Sequence, residues 1–269
     1  MQAADRRDLE RDRSLLSEAV AAAAGTALEL FKRGVKSWSK SDQTPITEAD
    51  LAVNRELEQR LTSARPEYGW LSEETCDDVS RLTRRRCWIV DPIDGTKGFV
   101  RGNDQWCISA ALVEDGRPVL GIIANPATAE TFEALLGEGA RLNGEILKIA
   151  KRRDVEGCRL VMHRSILGSR RWGKPWPEIS LAMWNSMALR LCRVASGEAD
   201  GAIVISRKSD WDLAAADLIV AEAGGRVTGL TGKAMRYNER ETRHRGVVGA
   251  GQDLHGCLLE HTAGWTFED

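Results

Sequence analysis

An apolar run that ends in two closely spaced aspartates constrains this chain more than any other stretch: Trp88-Ile89-Val90-Asp91-Pro92-Ile93-Asp94-Gly95-Thr96. The run reads as a buried strand. Pro92 fixes φ and stiffens its exit, and Asp94-Gly95 make a tight turn in which glycine adopts backbone angles other residues avoid. Two carboxylates three residues apart on a rigid turn can face one small volume, where their like charges repel. Either they cap a turn or a helix, as aspartates commonly do, or a cation lies between them. A cation held by oxygen ligands alone is a hard one, Mg²⁺ or Mn²⁺ in place of zinc. Thr96 is open in the same way, as a turn hydroxyl or as a group of a site.

Three further acidic positions bear on that choice. Ser72-Glu73-Glu74 follows a short apolar run at residues 68–71. Asp50 lies in Thr44-Pro45-Ile46-Thr47-Glu48-Ala49-Asp50, where Thr47 and Asp50 have the form of a capping box opening a helix to about Leu61. Asp212 lies in Asp210-Trp211-Asp212-Leu213 and has the form of a helix N-cap. Each has an ordinary explanation alone: a solvated loop, an acid favouring a helix dipole, a cap. Their order and spacing along one chain are not generic.

The chain has 269 residues, 42% hydrophobic and 29% charged, enough for one large domain or two joined halves with a sizeable core. A net charge of -2 leaves no electrostatic footprint for a nucleic-acid polymer or an anionic membrane. The alanine run around Val20 to Ala24 is flanked by charges and is too short to span a bilayer. The mixed charges from Arg6 to Arg13 do not form the start of a secretory signal. The six cysteines are scattered without a C-x-x-C pair, which suits reduced thiols and a cytoplasmic location. The four histidines show no pairing for a covalent mechanism.

Periodicity predicts a helix over 9–31 closed by Gly34, strands at 68–71 and 87–90, and a hairpin pairing 107–113 with 119–123. A second hairpin is expected at 131–136 and 141–147. Beyond residue 159 the pattern alternates: helix 187–195, strand 201–205, helix 213–223 stopped by Gly224-Gly225, then strands near Val227 and Val247-Val248. The expected architecture is of mixed α+β and α/β type, with two sheet-containing halves sharing a cleft. Residues 1–150 would carry most of the acidic set and 151–269 would carry Asp212, with the join at 145–158.

Taken together, Ser72-Glu73-Glu74, Asp91 to Thr96 with Phe99, and Trp211-Asp212 followed by Ala221-Glu222-Ala223-Gly224-Gly225 resemble the inositol monophosphatase superfamily of lithium-sensitive, Mg²⁺-dependent phosphatases. The resemblance runs from about residue 15 to 251. It implies a layered αβαβα sugar-phosphatase-like fold. It also implies that Glu73, Asp91, Asp94, Asp212 and the Ile93 carbonyl hold two or three Mg²⁺ ions, with Mn²⁺ as a substitute and Li⁺ as an inhibitor. By the same resemblance Asp50 would be a further metal-linked aspartate and, with Thr96 and Glu73, would serve the attacking water, while Gly95 and Thr96 would offer backbone N–H groups to the phosphate. The implied substrate is a small phosphorylated metabolite and the implied assembly a monomer or homodimer.

Within that superfamily, Asp94-Gly95-Thr96-Lys97-Gly98-Phe99 is most similar to the 3′(2′),5′-bisphosphate nucleotidase branch. Lys97 adds a positive charge suited to a second phosphate, although an ordinary solvated lysine reads the same. Ile205 stands where inositol-cleaving members have a glutamate for sugar hydroxyls, and Arg207-Lys208 follow it. His163 and Arg164 match a segment beside the nucleotide, Arg164 as a bidentate phosphate donor, and Ser186 matches a ligand-side Gly-Ser or Gly-Thr whose glycine is here Asn185. The expected reaction is removal of the 3′-phosphate from adenosine 3′,5′-bisphosphate by metal-activated water. Inositol 1-phosphate and histidinol phosphate are the alternative substrates, and a catalytically silent binding protein on the same fold is the distant alternative.

Overall fold

The structure, a computed structural model, describes residues 3–39 and 45–265; Thr44, in the segment leading to Asp50, lies outside them. The first helix, α1 (Ala3–Arg33), buries Leu9, Leu16, Ala19, Val20, Ala23 and Ala27, a single stripe at helical spacing. Its 31 residues exceed the predicted 9–31, and among the described helices it alone has the length and composition to cross a membrane. The alanine run is short, but the helix containing it is not. Its buried stripe packs in the same apolar cluster as the second helix and the large sheet. Strands β1 (Ser37–Ser39) and β2 (Pro45–Thr47) pair antiparallel, and α2 (Glu48–Ala64) begins at the predicted capping box.

The larger sheet follows in chain order: β3 (Gly69–Ser72), β4 (Arg86–Asp94), β5 (Cys107–Glu114), β6 (Arg117–Asn125), β7 (Glu130–Leu135), β8 (Ala140–Leu142) and β9 (Glu145–Ile146). All neighbours are antiparallel except β3 and β4, which a crossover containing the 3₁₀ turn Val79–Thr83 makes parallel. The short helix α3 (Thr96–Val100) bridges β4 and β5. The smaller sheet contains β10 (Arg159–Val161), β11 (Ser180–Ala182), β12 (Gly201–Ser209), β13 (Gly225–Thr228) and β14 (Arg243–Gly251) in the order β11-β10-β12-β14-β13. Its helices are α4 (Arg164–Leu167), α5 (Met187–Ala195), α6 (Asp210–Glu222) and α7 (Gln252–Thr262).

Side-chain alternation sorts these elements into five layers. Trp88 and Val90 of β4 face Val53 and Leu57 of α2, whereas Cys87 and Ile89 face the other way, into a cluster with α5 and α6. The opposite side of α5 and α6 meets Ala202, Val204 and Val247 of the smaller sheet, and α7 closes that sheet's outer face with Leu254 and Leu258. The result is the αβαβα arrangement expected.

Helix α6 lies unusually close to the larger sheet. Its Ala214-Ala215-Ala216 run is buried against β6, where a Cβ on Gly121 would come within 2.9 Å of the Ala215 carbonyl oxygen. Only glycine permits that approach. The contact carries the start of α6 to within reach of β4.

Candidate active site

The Asp91–Asp94 segment differs from the predicted turn. Strand β4 continues through Asp94, and its pairing slips between Asp91, opposite Ser109, and Asp94, opposite Cys107. In a regular strand residues i and i+3 point to opposite faces. One extra residue in a bulge reverses that parity and brings both carboxylates to one side. Pro92, which has no N–H to donate, is tolerated at such an irregularity. The tight turn itself comes one residue later, at Gly95 with φ 97°.

Each acid is fixed by backbone N–H groups. The Asp91 carboxylate accepts from Ile93 N–H at 3.0 Å. Asp94 lies at the N-terminus of α5, where it accepts from the Ser186 hydroxyl at 2.6 Å, Ala188 N–H at 2.6 Å and Met187 N–H at 3.1 Å. Asp212 is not the N-cap of α6; that position is Ser209, whose N–H donates to Asp212 Oδ2 at 2.8 Å. Asp50 occupies the same third-residue place in α2, with Oδ2 accepting from Thr47 N–H at 2.8 Å. Its other oxygen, Oδ1, stands 3.4 Å from the Thr96 hydroxyl, which also lies 3.0 Å from the Ile93 carbonyl oxygen. Capping and site-building are therefore performed by the same side chains, one oxygen for each task at Asp50.

Asp91, Asp94 and Asp212 each offer a carboxylate oxygen, and these lie within 4.8 Å of one another. Burial pushes Asp91 well above the usual carboxylate range, and the charges of Glu73, Asp94, Asp212 and Asp50 push it further. Burial raises Asp94, against hydrogen bonds from Ser186 and α5 and the charge of Lys208. Asp212 is pushed up to about 6 by burial, with Lys208 opposing and Asp94 and Glu73 adding. Asp50 is likewise pushed up to about 6, by burial against its Thr47 bonds, with Glu73 adding. Buried like charges of this kind need protons or a cation. An all-oxygen donor set fits a hard divalent ion, with the three aspartates as its nearest holders. Glu73 is half-buried at the end of β3 and stands with Asp50 outside the tight trio, although its charge is felt by Asp50, Asp91 and Asp212.

The remaining expected residues are distributed unevenly. Ser186 is fully buried with its hydroxyl on Asp94, an orienting position. Lys97 is exposed on α3. His163 is exposed and accepts from Ser165 N–H at 3.2 Å as the cap of α4, and Arg164 is exposed on the same corner; neither bonds to the acidic group. Regular alternation in β12 puts Ile205, like Ile203, against the outer apolar cluster, on the face opposite Ala202 and Val204. Arg190 was missed. It lies on α5 one turn beyond Ser186, close enough to Asp94 and Asp212 to feel both charges, and its Nε donates to the Trp184 carbonyl at 2.7 Å. The signal was present in the i, i+4 spacing from Ser186. Glu222, within the Ala221–Gly225 motif, is a structural staple that accepts from Gly137 and Gly139 N–H at 2.9 and 2.8 Å.

Gly95 gives a direct check on this geometry. A Cβ there would lie 2.6 Å from the Gln105 carbonyl oxygen and 3.2 Å from Ser186 N, at a left-handed φ. Gly95→Ala is expected to cost about 2 kcal/mol or more of stability and to displace Asp94 and Thr96 together. Thermal melting and phosphate release read the two effects; an unchanged melting temperature would argue that the turn relaxes freely.

The chain matches the model of the inositol monophosphatase family over residues 8–264. A 3′(2′),5′-bisphosphate nucleotidase CysQ of Aggregatibacter actinomycetemcomitans is 35% identical over 257 residues, covering 90% of this chain and 94% of the relative. A histidinol-phosphatase of Mycobacterium tuberculosis is 39% identical over 210 residues, covering 73% and 78%. Among solved structures, the Thermotoga maritima IMPase superposes with a TM-score of 0.79 at 26% identity, covering 96% of this chain and 97% of that one. The chain belongs to the inositol monophosphatase family. It is a phosphoric monoester hydrolase of that metal-dependent group, on the αβαβα fold the sequence implied.

Proposed function

We propose that this protein is a Mg²⁺-dependent 3′(2′),5′-bisphosphate nucleotidase that removes the 3′-phosphate from adenosine 3′,5′-bisphosphate. The observation that carries the reading is the pairing of the buried aspartate trio with two cations, Lys208 and Arg190, whose charges act on Asp94 and Asp212. A monophosphate needs one anion subsite; a bisphosphate needs a second. The 35% identity to a CysQ nucleotidase across 90% of the chain adds independent support.

In this reading Asp91, Asp94, Asp212, Glu73 and the Ile93 carbonyl hold two or three Mg²⁺ ions, and Li⁺ inhibits. Bound there, the metal lowers the pKa of water and neutralises the charge of the transferring phosphoryl group. The protein's own part is orientation. Thr96 passes its hydroxyl proton toward Asp50 Oδ1, leaving an oxygen lone pair to accept from a water and aim it. Gly95 and Thr96 N–H groups face the scissile phosphate. Lys208 and Arg190 take the second phosphate, Arg190 through the guanidinium nitrogens that Trp184 does not engage, with Lys97 adding charge nearby.

A comparison of kcat/KM on adenosine 3′,5′-bisphosphate, myo-inositol 1-phosphate and histidinol phosphate tests the assignment, with Arg190→Ala alongside. The bisphosphate is expected to be preferred, and the substitution is expected to weaken its kcat/KM at least about tenfold while leaving the monophosphates little changed. A preference for histidinol phosphate would favour the reading suggested by the Mycobacterium tuberculosis relative.

A further inference from the structure

The loop between β13 and β14 crosses back to the larger sheet and makes a compact polar network far from any use in the reaction. Its centre is Arg81, in the 3₁₀ turn after the Glu73 loop, only 1% exposed. The guanidinium binds Asp77 with two bonds of 2.6 and 2.9 Å, donates to the Asn238 side-chain oxygen at 2.7 Å and to the Glu239 carbonyl at 3.1 Å. Asn238 takes a left-handed backbone, φ 57°, and its N–H donates to Asp210 Oδ2 at 2.7 Å. Asp210, fully buried, also meets His244 Nε2 at 2.7 Å, and its own N–H donates to the Thr242 carbonyl at 2.9 Å.

Both ends of this chain of bonds lie on segments that carry members of the acidic group. Asp77 belongs to the connection that leaves β3 through Glu73. A Cβ on Gly69, at the start of β3, would lie 2.9 Å from the Arg81 Cβ and 3.1 Å from its Cα, so the Arg81 backbone rests directly on the strand that delivers Glu73. Asp210 is the first residue of α6, two positions before Asp212. Glu73 follows β3 of the larger sheet, whereas Asp212 lies on α6, which follows β12 of the smaller one.

We infer that Arg81 and Asn238 are positioning residues that set the separation of Glu73 and Asp212, and so the metal affinity of the site, by bracing the Glu73 loop against the start of α6. The inference rests on the metal reading of the acidic group. A buried, bidentate arginine is a stiff strut, because its planar fork loses little freedom when all its donors are held. Partners beyond the ligands themselves commonly tune metal affinity.

Titration calorimetry of the purified full chain with MgCl₂, without substrate, tests it. Asn238→Gly keeps the left-handed backbone and removes only the side-chain link; it is expected to raise the Mg²⁺ dissociation constant about tenfold. The Mg²⁺ concentration for half-maximal phosphate release should rise in parallel, with kcat at saturating Mg²⁺ little changed. Arg81→Met keeps the stem and removes the fork, and the double variant should be no worse than the larger single, since the Arg81–Asn238 bond is lost in both. If Arg81→Met fails to fold, Asn238→Gly decides alone. Unchanged Mg²⁺ affinity in Asn238→Gly, with the unaltered protein binding normally, overturns the inference alone. Absence of Mg²⁺ binding by the unaltered protein overturns the metal reading and this inference with it.

Discussion

Asp212→Asn is expected to reduce phosphate release on the order of a thousandfold while leaving the metal-free protein at least as stable as the original. The activity loss follows from removing one charge of the buried trio with Asp91 and Asp94. Stability is spared for a local reason. Asparagine retains an oxygen that can accept from Ser209 N–H, so the box at the start of α6 survives. Meanwhile one buried negative charge, repelled by Asp94 and Glu73, disappears. Steady-state turnover at saturating Mg²⁺ and a thermal melt in chelator provide both readings. Turnover within tenfold of the original would remove Asp212 from the site.

The second large effect is in the pH dependence of stability. Asp50 and Asp212 titrate near 6 in the fold and near 3.8 when unfolded, and Asp91 and Asp94 are raised as well. The folded state therefore holds more protons than the unfolded state between these values. Stability from these groups is fully present below about pH 4 and is lost as pH rises through about 6. One carboxylate displaced this far corresponds to about 3 kcal/mol. Metal-free protein should melt on the order of 5–10 °C lower at pH 7.5 than at pH 5. Saturating Mg²⁺ should abolish or reverse the difference, because the ion replaces the protons and binds better once they have left. A metal-free melting temperature that rises over this window would show that the acids are not crowded as described.

Much of this architecture was legible because periodicity reports burial. Helix 187–195 and the hairpin at residues 107–123 follow directly from their apolar spacing. The bulge in β4 was not legible: Asp91-Pro92-Ile93-Asp94 has turn composition, and only pairing with β5 keeps it in the sheet. Ile205 was legible only as a missing glutamate; its place against the outer apolar cluster follows from strand alternation once β12 is placed between two layers. The acids could be named because their spacing is distinctive, whereas the cations could not. Arg190 is one of many arginines, and its meaning depends on α5 starting against Asp94, a contact between residues more than ninety positions apart. His163 and Arg164 were matched by position in the chain, yet the fold engages His163 in capping α4.

The double duty of these aspartates bears on how such a protein can change over time. Asp50 starts α2, Asp212 starts α6 and Asp94 receives the first turn of α5. A lineage freed from selection for catalysis would still need most of these acids, because losing one unravels a helix start. Retained aspartates are thus poor evidence of retained turnover, whereas asparagine at any of them is informative: it preserves the cap and gives up the charge. Drift toward a silent descendant should pass through asparagine first.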